Sequence, residues 1–167
     1  MIPVLSPLAQ YRTHQDAIQV AIAKVLESGA YVLGQEVAAF ERAFADFCGA
    51  GHAVGVGSGT DALILALKAL GIGHGDEVIT VSHTAVATVA AVLAVGAIPV
   101  LVDIDPTFYT IDPSALDAAV SQRTKAIIAV HLYGQAVDLD AVRLVAKRHR
   151  KLARHIVSGY ESHNHQS

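Results

Sequence analysis

The stretch from residue 78 to residue 102 contains no Asp, Glu, Lys or Arg, which narrowly restricts what this part of the chain can form. A helix that spans a bilayer needs about 20 apolar residues, so length alone would admit a membrane segment. The internal pattern opposes it, because strand-like runs at 78–81 and 98–102 enclose an Ala-rich helical stretch at 85–95. The flanks are acidic and lack the Lys and Arg of a cytoplasmic membrane edge. The segment therefore predicts a buried β-α-β unit.

The same alternation of helical and strand-like patterns extends over most of the chain. Helices are predicted at 13–28, 36–47, 60–70, 112–120 and 138–149, and further strands at 53–56 and 126–130. Strands separated by helices of about ten residues are typical of a parallel sheet. Hydrophobic residues make up 53% of the chain but aromatic ones only 5%, as suits strands covered by helices on both faces. The predicted fold class is α/β, with a mostly parallel, doubly wound sheet.

Composition excludes several classes of protein. A formal net charge of -3 gives no electrostatic reason to bind nucleic acid or an anionic membrane. Cys48 is the single cysteine, so no disulfide can form within the chain, and a cytoplasmic location is expected. The first residues lack the basic start and long apolar core of a signal peptide.

A glycine-rich turn precedes the third predicted helix. Its sequence is Gly55-Val56-Gly57-Ser58-Gly59-Thr60-Asp61. The glycines let the backbone approach a ligand closely, and the Ser, Thr and Asp residues are of the types that cap helices. The free N–H groups of a helix start bind anions, most often phosphate. From these residues alone, a phosphate site and an ordinary strand-to-helix turn both remain open.

The end of the chain interrupts the alternation. A buried strand is expected after the helix at 138–149, but the final 21 residues instead hold four of the nine histidines and five of the twelve Lys and Arg residues. Such a shift in composition is typical of disorder. We predict part of one domain at residues 1–148 and an aberrant, disordered tail at 149–167. The pair His163 and His165 is interpreted as solvated, and no metal site is predicted.

Six segments together carry a resemblance to a known family. They are Ser28–Gly34, Val54–Leu63, Gly71–Ile79, Thr84–Thr88, Gly96–Asp103 and His131–Gln135. In this order they resemble the amino-terminal part of the DegT/DnrJ/EryC1/StrS family of pyridoxal-phosphate sugar aminotransferases. The resemblance implies a partial large domain of a fold-type-I aminotransferase, homodimers in the intact enzyme, and transfer of an amino group from glutamate to a nucleotide-linked keto-sugar.

The resemblance also implies roles for particular residues. Ser58, Gly59, Thr60 and Asp61 would hold the phosphate of pyridoxal 5'-phosphate, and His83 would lie against its pyridine ring, since many relatives have an aromatic residue where this chain has Ala85. Tyr31 would contact substrate. The segment His131–Gln135 would border the pocket without an assigned role.

Two features of the family have no counterpart in this sequence. One is the acidic residue that faces the pyridine nitrogen, and the other is the lysine that forms the Schiff base. The five lysines, Lys24, Lys68, Lys125, Lys147 and Lys151, match no such motif. The prediction is a truncated, inactive fragment with no catalytic residue of its own.

Two other functions stay open at this stage. Gly55-x-Gly57 fits the first half of a Rossmann dinucleotide fingerprint, although Thr60 occupies the third glycine position. Alternatively, the chain is a non-catalytic fragment that associates with a full-length homologue, because missing strands would leave apolar edges uncovered.

Overall fold

The computed structural model describes residues 6–149 and the backbone of residues 155–161. The chain divides into two compact units, residues 1–55 and residues 56–167. The first unit contains three helices: α1 (Pro7–Thr13), α2 (Gln15–Ser28) and α3 (Gln35–Cys48). The second contains all four strands of the described chain and four further helices: α4 (Gly59–Ala69), β1 (Glu77–Val81), α5 (Val86–Ala94), β2 (Ile98–Val102), α6 (Pro113–Ala119), β3 (Thr124–Leu132), α7 (Leu139–Arg148) and β4 (His155–Glu161).

The helices of the first unit follow their local signals. Ser6 caps α1 by accepting a hydrogen bond from the Ala9 amide, and Pro7 occupies the first helical turn. Gly29 and Gly49, both in the left-handed conformation, end α2 and α3. The helix predicted at 13–28 corresponds to α2, whereas α1 is a further helix that the sequence pattern did not predict; His14 leaves the helical conformation between the two.

The sheet of the second unit has the strand order β2-β1-β3-β4, and every neighbouring pair is parallel. β1 and β3 are its apolar centre: all five residues of β1 are buried, and seven of the nine in β3. Fully buried Ile79 and Ile127 are paired across them. The predicted α/β parallel architecture and the β-α-β unit at 78–102 are confirmed.

Right-handed crossovers determine which face each helix covers. The chain moves from β1 outward to β2 through α5, and then back across β1 to β3 through α6. These moves have opposite directions, which places α5 on one face and α6 on the other. Consistently, α5 contacts α4, while α6 contacts α7. The sheet is therefore doubly wound.

Two sequence predictions differ from the structure. Residues 53–56 are not a strand, and Val54 is mostly exposed, because β-type side chains form a strand only where a neighbouring backbone pairs with them. Conversely, the predicted disorder of the tail is wrong at His155–Glu161, which forms β4 along β3. The open edge of β3 supplies main-chain hydrogen bonds whatever side chains the pairing segment carries. Residues 150–154 and 162–167, including His163 and His165, lie outside the described residues.

At the amino edge of the sheet, a buried carboxylate joins two segments of the chain. Glu77 starts β1 and is only 5% exposed; it accepts a hydrogen bond from the Ser121 hydroxyl and pairs with the Arg123 guanidinium, N to O 2.5 Å. The Glu77 amide donates to the Arg123 carbonyl at 2.8 Å. The Ser121 hydrogen bond, aided by Arg123, lowers the pKa of Glu77 below its ordinary value of 4.5, although burial opposes this. Two chain segments are thereby joined where β1 and β3 begin.

Candidate functional site

The carboxyl ends of β1 and β3 form the position in the fold where a ligand is expected. From β1 the chain turns outward to β2, whereas the other neighbour of β1 is β3, so the direction of winding reverses between β1 and β3. In open α/β sheets the crevice at such a switch point binds ligands, at the carboxyl edge. His83 follows β1 and Tyr133 follows β3, one on each side of this crevice.

The start of α4 lies at the same edge. A Cβ added to Gly73, after α4, would lie 3.7 Å from the Val95 carbonyl, and one added to Gly96, after α5, would lie 3.8 Å from the His74 amide nitrogen. The carboxyl ends of α4 and α5 are therefore adjacent, and the two helices, which contact each other, run side by side. Since α5 begins just after β1 ends, both helix starts lie toward the carboxyl edge.

The predicted phosphate-binding residues form the N-terminus of α4. Ser58 is the N-cap: its hydroxyl oxygen accepts from the Asp61 amide at 3.1 Å and its hydroxyl donates to the Asp61 carboxylate at 2.9 Å. Among the described residues, the amides of Gly59 and Thr60 donate to no protein acceptor. A Cβ on Gly59 would meet no heavy atom within 4 Å. Amides without a protein acceptor at the start of an 11-residue helix suit a phosphate group.

The Asp61 side chain is hydrogen-bonded within the turn itself. Its carboxylate accepts the Ser58 hydrogen bond and lies 3.0 Å from the position of a Cβ on Gly57. A negative charge in the first turn also stabilises the helix through its dipole. Thus Asp61 stabilises the turn from within the helix, while the amides of Gly59 and Thr60 donate to no described protein acceptor.

His83 lies next to two tyrosine rings, one from the predicted pocket segment His131–Gln135 and one that the sequence did not identify as a site residue. Its ring centroid lies 5.8 Å from that of Tyr133, edge to face, and 6.3 Å from that of Tyr109. Tyr109 comes from the loop after β2, so the three strands β1, β2 and β3 each deliver one ring to this cluster. The dipeptide Tyr133-Gly134 directly after a strand was the available signal, because tyrosine is unusual in a tight turn.

Polar contacts fix the backbone around this cluster. Thr84 and Thr88 join their hydroxyls at 2.9 Å across the start of α5. The Val137 amide donates to Nδ1 of His131 at 3.0 Å, which requires that this nitrogen is unprotonated. The segment after β3 is thereby held against the strand end. Ala85, the N-cap of α5, offers only a methyl group here.

Tyr31, the predicted substrate contact, belongs to the first unit. It is 65% exposed, and its hydroxyl donates to the Leu26 carbonyl at 3.1 Å. It lines a cavity of about 310 Å³ together with Lys24, whose Nζ lies 2.5 Å from the Glu36 carboxylate. The tyrosine ring is thus tied to the end of α2 and leaves its face accessible.

Within the part of the chain that the structure describes, no three or more His, Cys, Asp or Glu side chains gather in a way that could hold a metal ion. None of the described helices has the length and apolar character needed to cross a bilayer.

Known protein families and curated proteins include clear matches to this chain. The model of the DegT/DnrJ/EryC1/StrS aminotransferase family matches residues 12–152. A dTDP-3-amino-3,6-dideoxy-alpha-D-galactopyranose transaminase from Aneurinibacillus thermoaerophilus is 48% identical over 149 residues, which are 89% of this chain and 41% of the relative.

Solved structures agree with the sequence relatives. DesV of S. venezuelae, in complex with a ketimine intermediate, superimposes with a TM-score of 0.90 at 49% identity, over 94% of this chain and 42% of the other. NtdA from Bacillus subtilis, with bound cofactor PMP, gives a TM-score of 0.83 at 34% identity, over 87% and 33%. The chain thus spans about two fifths of the length of the curated relative it matches.

These findings also decide against the dinucleotide alternative. A Rossmann fingerprint opens directly after a strand, and residues 53–56 form none. Family match, fold and relatives all lead to one assignment: the chain belongs to the DegT/DnrJ/EryC1/StrS aminotransferase family.

Proposed function

We propose that this chain forms the phosphate-binding portion of a pyridoxal-phosphate-dependent aminotransferase that acts on a nucleotide-linked keto-sugar. The observation that carries the proposal is the start of α4, where the amides of Gly59 and Thr60 donate to no described protein acceptor and a Cβ on Gly59 would meet no heavy atom within 4 Å. The relatives support the substrate class, since one of them is named for a dTDP-linked amino sugar.

The chain's own residues would divide the work as follows. The Gly59 and Thr60 amides, with the Thr60 hydroxyl, would bind the phosphate; Ser58 and Asp61 would keep the turn in shape. His83 would lie beside the ring at the β1–β3 crevice. When bound, the coenzyme supplies an electron sink that stabilises negative charge on the carbon that carries the transferred amino group.

We further propose that the 167-residue chain by itself does not transaminate, because none of its five lysines lies in a motif like that of the family. Purified protein incubated with glutamate and a keto-sugar nucleotide is expected to form no amino sugar, while a full-length relative assayed in parallel does. Turnover by the chain alone, with a lysine reduced onto the coenzyme by borohydride, would contradict this.

The intact enzyme is proposed to be a cytoplasmic homodimer. One feature of the first unit supports self-association, or association with a full-length homologue: Phe40, Phe44 and Phe47 lie along one side of α3 and are 61%, 48% and 86% exposed. The rings of Phe40 and Phe44 stack at 5.6 Å. Exposed apolar surface of this kind marks contact sites. Sedimentation of the chain, alone and mixed with a full-length relative, tests this; a monodisperse monomer in both would contradict it.

The phosphate site is tested by Gly59→Glu. A carboxylate at the first helical position favours the helix dipole, so the fold should be kept, but it places negative charge where the phosphate would bind. Binding of pyridoxamine phosphate, measured by calorimetry, should be lost.

Gly51→Glu is the matched control. Gly51 also has open space around an added Cβ and belongs to the first unit, so the variant adds the same charge at a residue that is not part of the α4 turn. Equal binding by the parent and both variants would refute the phosphate site.

A further inference from the structure

Three aromatic rings meet in the crevice between β1 and β3, and two of them are on strained backbone. Among the non-glycine residues that the structure describes, only Leu33, Tyr109 and Tyr133 have positive φ. Both tyrosines of this set flank His83, with ring centroids at 6.3 and 5.8 Å. The left-handed conformation costs a residue with a side chain about 1–2 kcal/mol.

Tyr133 occupies a turn position that normally takes a different residue type. The Gln135 amide donates to the Leu132 carbonyl at 2.8 Å, and both residues between them have positive φ, 53° at Tyr133 and 81° at Gly134. This is the pattern of a type I′ turn, whose first central position favours Asn, Asp or Gly. The chain places a tyrosine there instead.

Tyr109 shows the same departure in an unrelated loop. The Asp105 carboxylate accepts hydrogen bonds from the Thr107 and Phe108 amides, and the Tyr109 amide donates to the Asp105 carbonyl at 2.8 Å. Tyr109 follows with φ 58°. Two loops of different construction thus turn a left-handed tyrosine toward the same histidine.

Neither tyrosine belongs to the buried core. Tyr109 and Tyr133 are 54% and 60% exposed, so folding buries less than half of either side chain. An aromatic pair contributes about 0.5–1.5 kcal/mol, which only offsets the backbone cost. Backbone strain at half-exposed residues beside a crevice is typical of residues kept for binding or catalysis.

We infer that Tyr109 and Tyr133 are positioning residues, which hold the His83 imidazole as a flat face for a heteroaromatic ring bound in the β1–β3 crevice. This inference rests on the proposed function, and under it the ring is the pyridine ring of the coenzyme, whose phosphate reaches the start of α4. Ala85, with a methyl group only, leaves the flat contact to these three rings.

Pyridoxamine phosphate is the probe, because it lacks the aldehyde that would react with surface lysines. Its affinity is measured by calorimetry, and the asymmetry of its environment by the circular dichroism of the bound pyridine ring. Tyr133→Asn and Tyr109→Asn keep a residue that tolerates positive φ but remove the ring. Each is expected to weaken binding about fivefold and to reduce the induced dichroism, as loss of an aromatic contact predicts.

Three variants separate positioning from a general effect on the fold. Tyr133→Phe keeps the ring, so its affinity and its induced dichroism should equal those of the parent. Phe108→Asn removes the neighbouring ring on the Tyr109 loop, and Tyr11→Asn removes a tyrosine of the first unit; both should bind like the parent. Urea unfolding of each variant reports stability independently.

The outcomes distinguish failure of the inference from failure of the proposed function. If pyridoxamine phosphate binds the parent and both asparagine variants equally, the inference is overturned and the phosphate site stands. If the parent binds thymidine diphosphate instead of pyridoxamine phosphate, and the asparagine variants bind it more weakly, the crevice takes a nucleotide base. The assignment to the pyridine ring is then wrong. If the parent binds neither ring compound, both proposals fail.

Discussion

The amino and carboxyl edges of the sheet are built from the same strands but differ in burial, polar contacts and backbone strain. At the amino edge, buried Glu77 is bonded to Ser121 and Arg123. At the carboxyl edge, Tyr109 and Tyr133 stand half exposed on strained backbone around His83. The buried carboxylate is hydrogen-bonded within the protein at one edge, whereas half-exposed rings and amides without a described protein acceptor lie at the other. Buried polar contacts and half-exposed rings thus lie at opposite ends of β1 and β3.

We expect the largest loss of stability from a substitution in the buried centre of the sheet, between the two edges. Ile127 lies fully buried on β3, between Thr124 at the amino edge and Leu132 at the carboxyl edge. Ile127→Ala should lower the free energy of unfolding by about 2–5 kcal/mol, because it leaves a cavity in the sheet centre. Ile98→Ala, on the outer strand β2 and 40% exposed, is the control and should cost clearly less in the same urea titration. Equal losses would mean that β3 is not the core of the unit.

The amino edge should be the more sensitive of the two to a polar deletion. Glu77→Ala leaves the Ser121 hydroxyl and Arg123 without their acceptor, and should cost about 1–3 kcal/mol of stability. Lys24→Ala removes an exposed ion pair with Glu36 and should cost about 0–1 kcal/mol. Urea unfolding at neutral pH compares the two. If the Glu77 variant is as stable as the parent, the carboxylate does not hold the edge together.

The same carboxylate predicts how stability responds to acid. Because the pKa of Glu77 is lower in the folded chain than its ordinary value of 4.5, its contribution is fully present above that value and is lost as the pH falls through the folded pKa. Glu77→Gln should therefore flatten the acid limb of stability against pH, while leaving its shape above that limb unchanged. Superimposable acid limbs for parent and variant would show that Glu77 is not the group responsible.

The carboxyl edge should show the smallest effect on stability. Tyr133→Asn should stay within about 0.5 kcal/mol of the parent, because relief of left-handed strain offsets the lost ring contact. Thermal and urea unfolding measure this on the protein used for the binding experiments. A loss as large as that of Glu77→Ala would show that the tyrosine holds the fold together, and the contrast between the edges would disappear.

Local signals predicted several elements of the second unit correctly. Asp112 caps α6 by accepting from the Ser114 amide, with Pro113 in the first turn, as that dipeptide predicts. Ser58 and Asp138 likewise cap α4 and α7, next to the starts of the helices predicted at 60–70 and 138–149. Caps are visible in sequence because the bonds they make reach only two or three residues along the chain.

Pairing between distant segments was not visible in the same way. Residues 53–56 carry a strand pattern but form no strand, and His155–Glu161 lack a clear pattern but form one. A strand forms only where a sheet edge is available, and a run of seven residues does not indicate which edge is open. The contact between His83 and Tyr133 has the same origin, since it joins residues 50 positions apart whose only common property is the strand end each follows.

The sequence by itself determined the class of fold, the position of the glycine-rich turn before α4 and the family, because these depend on periodicity and on short runs of residues. Only the tertiary structure decided that β1 and β3 are neighbours and that the winding reverses between them. That arrangement brings Tyr109 and Tyr133 to His83 and sets the Glu77 carboxylate at the far edge. The physical reason is that parallel strands align all their carboxyl ends, so residues remote in sequence acquire a shared environment that no local interaction encodes.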